Sequence, residues 1–181
     1  MTFPHRVAAF DGRADVMIER IRDHRFSARL FGIASTVGDF SLVWHISGLA
    51  YGLGVERRLG HALGFSALIG VESLLVNQVV KRLFRRARPT ETGDPRYVVR
   101  RPSTSSFPSG HASSAFFAAT LLTVWAGIAW APLWWAIAPV VALSRAVVRI
   151  HHASDVVGGI VVGVLLAQIA LASGAERLFT G

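Results

Sequence analysis

The chain has no cysteine among its 181 residues and a single lysine, Lys81, beside 18 arginines. Without cysteine it has no disulfide framework, no thiolate zinc site and no thiol nucleophile. Charge is scarce too: 17% of residues are Asp, Glu, Lys or Arg, against about a quarter in soluble domains. Acidic residues are fewer still, 11 against 19 basic, which leaves a net charge of +8. The remainder is mostly apolar, with 52% hydrophobic residues and a mean hydropathy of +0.45. That composition excludes an ordinary soluble domain and excludes disorder. It indicates an integral membrane protein short enough to be one folded unit.

Long uninterrupted apolar runs are absent from the first 29 residues. There Arg6, Arg13, Arg20, Arg22, Arg25 and Arg29 alternate with Asp11, Asp15, Glu19 and Asp23, a pattern unlike a signal peptide. Ala14, Met17, Ile18 and Ile21 recur at helical spacing, which predicts an amphipathic helix on the membrane surface over 1–29 and a membrane-embedded domain over 30–181. A helical span needs roughly 20 mostly apolar residues. Five stretches qualify: 30–53, 61–80, 111–130, 133–150 and 156–173. The expected fold class is therefore all-α, a bundle of about five transmembrane helices. Pro132 is placed to open the fourth, and Gly159 and Gly163 suit the fifth to close packing. Asp39 and His45 interrupt the first span, and Glu72, Asn77 and Gln78 the second. Asp39, His45 and Glu72 read first as interhelical hydrogen-bonding groups, with a functional role as the alternative.

Five spans put the N-terminus, the 81–110 loop and the region around residue 151 on one side, with nearly all the arginine. The positive-inside rule makes that face cytoplasmic, in a bacterial plasma membrane. Trp125, Trp130, Trp134 and Trp135 would mark the opposite interface. Between Arg88 and Ser106 lies the one extended polar loop, where Pro89, Gly93, Pro95 and Pro102 argue against a helix.

Three polar groups converge on the arginine-rich face. Lys81 and Arg88 would serve as phosphate ligands if the loop folds back, one a point charge and the other a bidentate fork. Arg82, Arg85 and Arg86 read as charges that hold the helix end at an anionic lipid surface. The second group is Phe107-Pro108-Ser109-Gly110-His111. A helix starting there leaves backbone N–H groups of its first turn unpaired at the positive end of a dipole, an anion site beside which His111 could donate a proton. A plain serine N-cap with an interfacial histidine explains the same residues. The third group is Ser144-Arg145 with His151 and Asp155. Four residues apart, His151 and Asp155 would share a helix face, and the carboxylate would fix the imidazole tautomer and leave the other nitrogen nucleophilic. His152, three from Asp155, is the weaker rival. Arg145, near the membrane edge, needs an anionic partner, which Asp155 could also be.

Together these residues spell K-x6-R-P, P-S-G-H and S-R-x5-H-x3-D in order, complete at all eleven specified positions. The chain thereby resembles the type-2 phosphatidic acid phosphatase superfamily, from the first span onward. The resemblance implies a phosphoric ester or diphosphate hydrolase acting on membrane lipids without metal or cofactor. Lys81, Arg88 and Arg145 would bind the phosphoryl oxygens with Ser109 and the Gly110 N–H. His151 would form a phosphohistidine with Asp155 orienting it, and His111 would protonate the leaving oxygen. Many members look like six-span proteins, whereas five are counted here. The expected substrate is a polyprenyl phosphate or diphosphate, including a polyprenyl-phosphate sugar phosphate, with phosphatidic acid or phosphatidylglycerol phosphate as the alternative. The expected partners are that lipid and the bilayer, and the sequence leaves the oligomeric state open. The vanadate-dependent haloperoxidases share the motifs, but they resemble large soluble proteins. A small channel or transporter would explain Asp39, His45 and Glu72 but not the three motifs. Nucleic acid is not an expected partner, because the arginines flank membrane spans and few aromatics are interleaved with them.

Overall fold

The computed structural model describes residues 5–90, 93–97 and 103–180, and every regular element among them is helical. Helix α1 (His5–Arg22) is followed by α2 (Arg25–Val37), α3 (Leu42–Gly54), α4 (Leu59–Leu74), α5 (Gly110–Ala126), α6 (Ala131–Val147), α7 (Ala153–Ala172) and a short α8 (Arg177–Thr180). Helix α4 continues through a π turn at Leu75–Val79 and a 3-10 turn at Val80–Leu83. Helix α5 is the axis of the bundle. It is apolar almost all round, as a helix enclosed by others must be, and it packs against α3, α4, α6 and α7.

Gly159 and Gly163 set how closely α5 meets α7. A Cβ at Gly159 would collide with the Ser109 carbonyl oxygen, and one at Gly163 with that of Ser113. The contact brings the start of α5 against the start of α7, where the Ser109 N–H donates to the Asp155 carbonyl at 2.9 Å. On the far side of α7, Val157, Val161, Leu165 and Ile169 form an exposed apolar stripe at four-residue spacing, suited to lipid.

Among the described residues the bundle has two apolar cores. Trp44, Phe65, Ile69, Leu121, Leu122, Trp134 and Phe179 fill the half toward the C-terminus of α5. Phe31, Tyr97, Ala142, Val147, Ile150 and Val156 lie beneath the loop that precedes α7. Of the four tryptophans predicted as an interfacial belt, Trp125 and Trp134 are buried in the first core; Trp130 and Trp135 are exposed. Packing claims half of that cluster.

Among the described residues two helices are long and apolar enough to cross a membrane, Leu59–Leu83 and Ala153–Ala172, and Ala131–Val147 is apolar but shorter. The first predicted span, 30–53, is not one helix. It breaks between α2 and α3, where Phe40 and Ser41 take left-handed backbone with φ of 54° and 58°. The predicted N-terminal helix forms, but its buried face is mainly polar. Asp11, Ile18 and Arg22 point inward while Met17 is exposed. The reason is ionic docking. Arg22 donates from Nε to the Val147 carbonyl and from Nη2 to that of Ala146, both at 2.8 Å, capping the C-terminus of α6.

Candidate active site

All the predicted site residues gather at one end of the bundle, each carried by an element terminus or a break. The π turn inserts an extra residue into α4 and rotates the residues after it, and Lys81 ends up 5% exposed with Nζ 3.4 Å from Thr104 Oγ1. Ser109 is the N-cap of α5, its Oγ accepting from the Ala112 N–H at 3.4 Å. Gly110 opens the helix with Lys81 Nζ 3.7 Å from where its Cβ would be. A side chain there would fill the space between the ammonium and the helix start.

Arg145, from the last turn of α6, is fully buried. Its Nη1 donates to Ser35 Oγ, but its Nε and Nη2 have no hydrogen-bond partner among the described residues. Unpaired guanidinium N–H groups in a buried position are costly unless an anion completes them. Arg88 comes from the loop after α4. Its Nη1 donates to the Ile150 carbonyl at 2.9 Å and lies 3.1 Å from His151 Nε2, while Nη2 donates to the Thr104 carbonyl at 3.0 Å. The predicted fold-back of the loop is thus observed at Arg88 and Thr104, although residues 98–102, including Pro102, lie outside the described part.

His151 precedes α7 and is 3% exposed. The expectation that it shares a helix face with Asp155 is corrected by the structure, since α7 begins at Ala153. Their proximity arises from a capping box. His152 is the N-cap and Asp155 is N3, and Asp155 Oδ2 accepts from the His152 N–H at 2.8 Å. This anchors the carboxylate, and His151 Nδ1 approaches the same oxygen at 3.6 Å from the loop. Because Arg88 donates toward Nε2, the lone pair sits on Nε2 and the proton on Nδ1, facing Asp155. Burial, with Arg88, Arg145 and Lys81 nearby, pushes the His151 pKa down to about 3 against the pull of Asp155. That shift favours the neutral imidazole.

Asp155 is fully buried and has two further partners that no sequence motif indicates. Ser106 Oγ donates to its Oδ2 at 2.5 Å, and Arg86 Nη1 pairs with its Oδ1. Arg86 also meets Asp11 Oδ2 at 2.5 Å, which ties α1 to the carboxylate. The assignment of Arg86 to the lipid surface is thereby corrected: two buried carboxylates hold it inward. Arg85 is exposed, and Arg82 reaches Gln78 Oε1 at 2.8 Å. No local pattern marked Arg86 among its arginine neighbours or Ser106 in its serine-rich run.

His111 lies in the first turn of α5, and its Nε2 is 3.2 Å from both the Ser35 carbonyl oxygen and Asp39 Oδ1. Asp39 therefore sits within the site. Glu72 matches the interhelical reading, accepting from Ser113 Oγ on α5. A cavity of about 440 Å³ joins Lys81, Gly110, His111 and His151 and extends past Asp39 and His45. A wider cleft of about 1010 Å³, lined by Arg82, Phe84, Arg85 and Arg88, shares Lys81 and Thr104 with it. Lys81, two imidazoles and a helix start line one space, with the charges of Arg88 and Arg145 acting on His151, an arrangement that can hold an anion of phosphate type.

Known proteins that the chain resembles are phosphatases. The family model described as the PAP2 superfamily matches residues 60–178. A decaprenylphosphoryl-5-phosphoribose phosphatase of Mycolicibacterium smegmatis is 36% identical over 127 residues, covering 69% of this chain and 67% of the relative. The protein of the same name from Mycobacterium tuberculosis is 33% identical over 145 residues, covering 79% and 78%. Among solved structures, a transmembrane PAP2-type phosphatidylglycerolphosphate phosphatase from Bacillus subtilis superposes with a TM-score of 0.72 at 21% identity, over 96% of this chain and 88% of that one.

Proposed function

Because this chain belongs to the PAP2 superfamily and is a lipid phosphatase, we propose that it removes the terminal phosphate of a polyprenyl-phosphate sugar phosphate through a phosphohistidine. The observation that carries the chemistry is the buried Arg145 guanidinium, with Nε and Nη2 unpartnered among the described residues and close enough for its charge to act on His151. Arg145, Arg88 and Lys81 neutralise the phosphoryl oxygens, with Ser109 and the Gly110 N–H completing the cradle. His151 Nε2 attacks phosphorus as the bond to the leaving oxygen breaks, and His111 gives that oxygen its proton. Asp155 stabilises the charge that develops on the His151 ring. Water then attacks the phosphohistidine and releases inorganic phosphate. The cations supply the charge neutralisation, so no metal is needed in the reaction.

The choice of lipid is supported by the relatives at 33% and 36% identity, both named for a decaprenylphosphoryl phosphoribose. Purified protein in detergent with EDTA is expected to release phosphate from a polyprenyl-phosphate pentose phosphate at least about tenfold faster than from phosphatidic acid or phosphatidylglycerol phosphate, a discrimination of about 1.4 kcal/mol. Preference for a glycerolipid would overturn the substrate, and loss of activity restored by magnesium would overturn the metal-free site.

A further inference from the structure

The break between α2 and α3 belongs to none of the three motifs, yet it supplies one wall of the site. Ser35 accepts from His111 through its carbonyl and from Arg145 through its hydroxyl. Gly38 lets the chain pass against the imidazole, since a Cβ there would lie 2.6 Å from His111 Cδ2. The left-handed Phe40 and Ser41 then turn the chain so that Asp39 Oδ1 stands 3.2 Å from His111 Nε2. Two consecutive non-glycine residues in that conformation are a cost that a packed site must offset. The Cδ2–Nε2 edge of the ring is thus held by Ser35, Gly38 and Asp39, which leaves Nδ1 as the ring nitrogen outside these contacts.

We propose that Asp39 is a positioning residue for His111, gripping Nε2–H so that Nδ1–H is the proton handed to the leaving oxygen. The inference rests on the proposed role of His111 as general acid. When the P–O bond breaks, its electron pair stays on the leaving oxygen, which takes the proton from Nδ1. The ring goes from imidazolium to neutral, and Asp39 stays ionised throughout. The other charged and titratable groups are Lys81 beyond α4, His45 from α3 and His151 before α7, which line the cavity, and Arg145 from α6, whose charge acts on His111. Among the described residues that line the cavity, Asp39 is the sole carboxylate. Its negative charge opposes that of Arg145 at the His111 ring.

The test compares Asp39→Asn, Asp39→Glu and His111→Ala on an alkyl lipid phosphate and on a nitrophenyl phosphate ester, whose leaving group needs no proton. Asp39→Asn is isosteric, so the fold should be retained. Since general acid catalysis contributes about 10²–10⁴-fold, Asp39→Asn is expected to lower kcat on the alkyl substrate by about 10- to 100-fold and on the activated ester by less than about threefold. The alkaline limb of its kcat profile on the alkyl substrate should move down by about one pH unit, the shift expected when an opposite charge is removed. Asp39→Glu should recover part of the rate, and Asp39→Asn should add little to His111→Ala. Equal losses on both esters, or none on either, would overturn the positioning role. If His111→Ala itself lost both substrates alike, the general acid assignment would fall, and this proposal with it. Leaving-group selectivity in His111→Ala without selectivity in Asp39→Asn would overturn the role of Asp39 alone.

Discussion

His151 occupies a loop position where the field of three cations and its own burial hold it neutral, with a pKa of about 3. Histidine NMR in detergent, with the signal assigned by His151→Gln, should show this ring unprotonated down to pH 5. Titration near 6.5 would contradict that environment. Arg145 poses a different demand. Its Nη1 is used by Ser35 and its two remaining directions, Nε and Nη2, are open to an anion. Lysine offers a point charge instead of a planar fork, so Arg145→Lys should lower kcat/KM by at least about 100-fold, close to the loss in Arg145→Ala. Near-normal activity in the lysine variant would show that charge alone suffices. Lys81, Arg88, Ser109, Gly110, His111, Arg145, His151 and Asp155 were legible in the sequence as candidates because each sits in one of three short motifs, which the fold gathers at one end of the bundle. Ser35, Ser106 and Arg86 were not, because their part in the site exists only through contacts between distant segments.

At the scale of elements, the α5–α7 contact positions the chemistry. Gly159 and Gly163 lie against the Ser109 and Ser113 carbonyls, and the same approach pairs the Ser109 N–H with Asp155. Gly159→Ala forces these helices apart, and overpacking of this kind costs about 1–3 kcal/mol. A lower unfolding midpoint together with reduced kcat is expected, measured by tryptophan fluorescence and phosphate release. A drop in stability with kcat untouched would mean that the close approach does not set the site. The apolar runs and glycine spacing of α7 were readable in advance, since lipid and a helix neighbour demand them directly. The α2–α3 break was hidden. Asp39 interrupts the apolar run there, but nothing in the residue types of Phe40 or Ser41 announces left-handed backbone. Helix α1 was predicted by its apolar spacing, yet ion pairs dock it, and ion-pair partners distant in sequence leave no periodic trace.

For the molecule as a whole, acid is the natural stress, because several groups outside the spans bind protons more weakly when folded. Burial pushes Asp15 up, but bonds from Arg22 and Arg149 outweigh it, and the Arg22 and Arg96 bonds to Glu19 and the Arg96 bond to Asp94 hold those carboxyls low. Their stabilisation is present above the unfolded carboxylate range and is lost as pH falls through their depressed folded values. His151 adds to this earlier. Below its unfolded value of 6.5 the unfolded chain takes up a proton that the folded chain refuses until about pH 3. The unfolding midpoint in detergent should therefore decline steadily from pH 7 to pH 4, and His151→Gln should flatten the part between 6.5 and 5. A midpoint that rises with acid would contradict the buried charge arrangement. The phosphohistidine itself is tested most directly by rapid quenching of wild-type enzyme with substrate labelled in its terminal phosphate. Attack by His151 predicts an acid-labile, alkali-stable label on the peptide containing that residue, absent from His151→Ala. Label on another residue, or turnover that persists in His151→Ala, would contradict it.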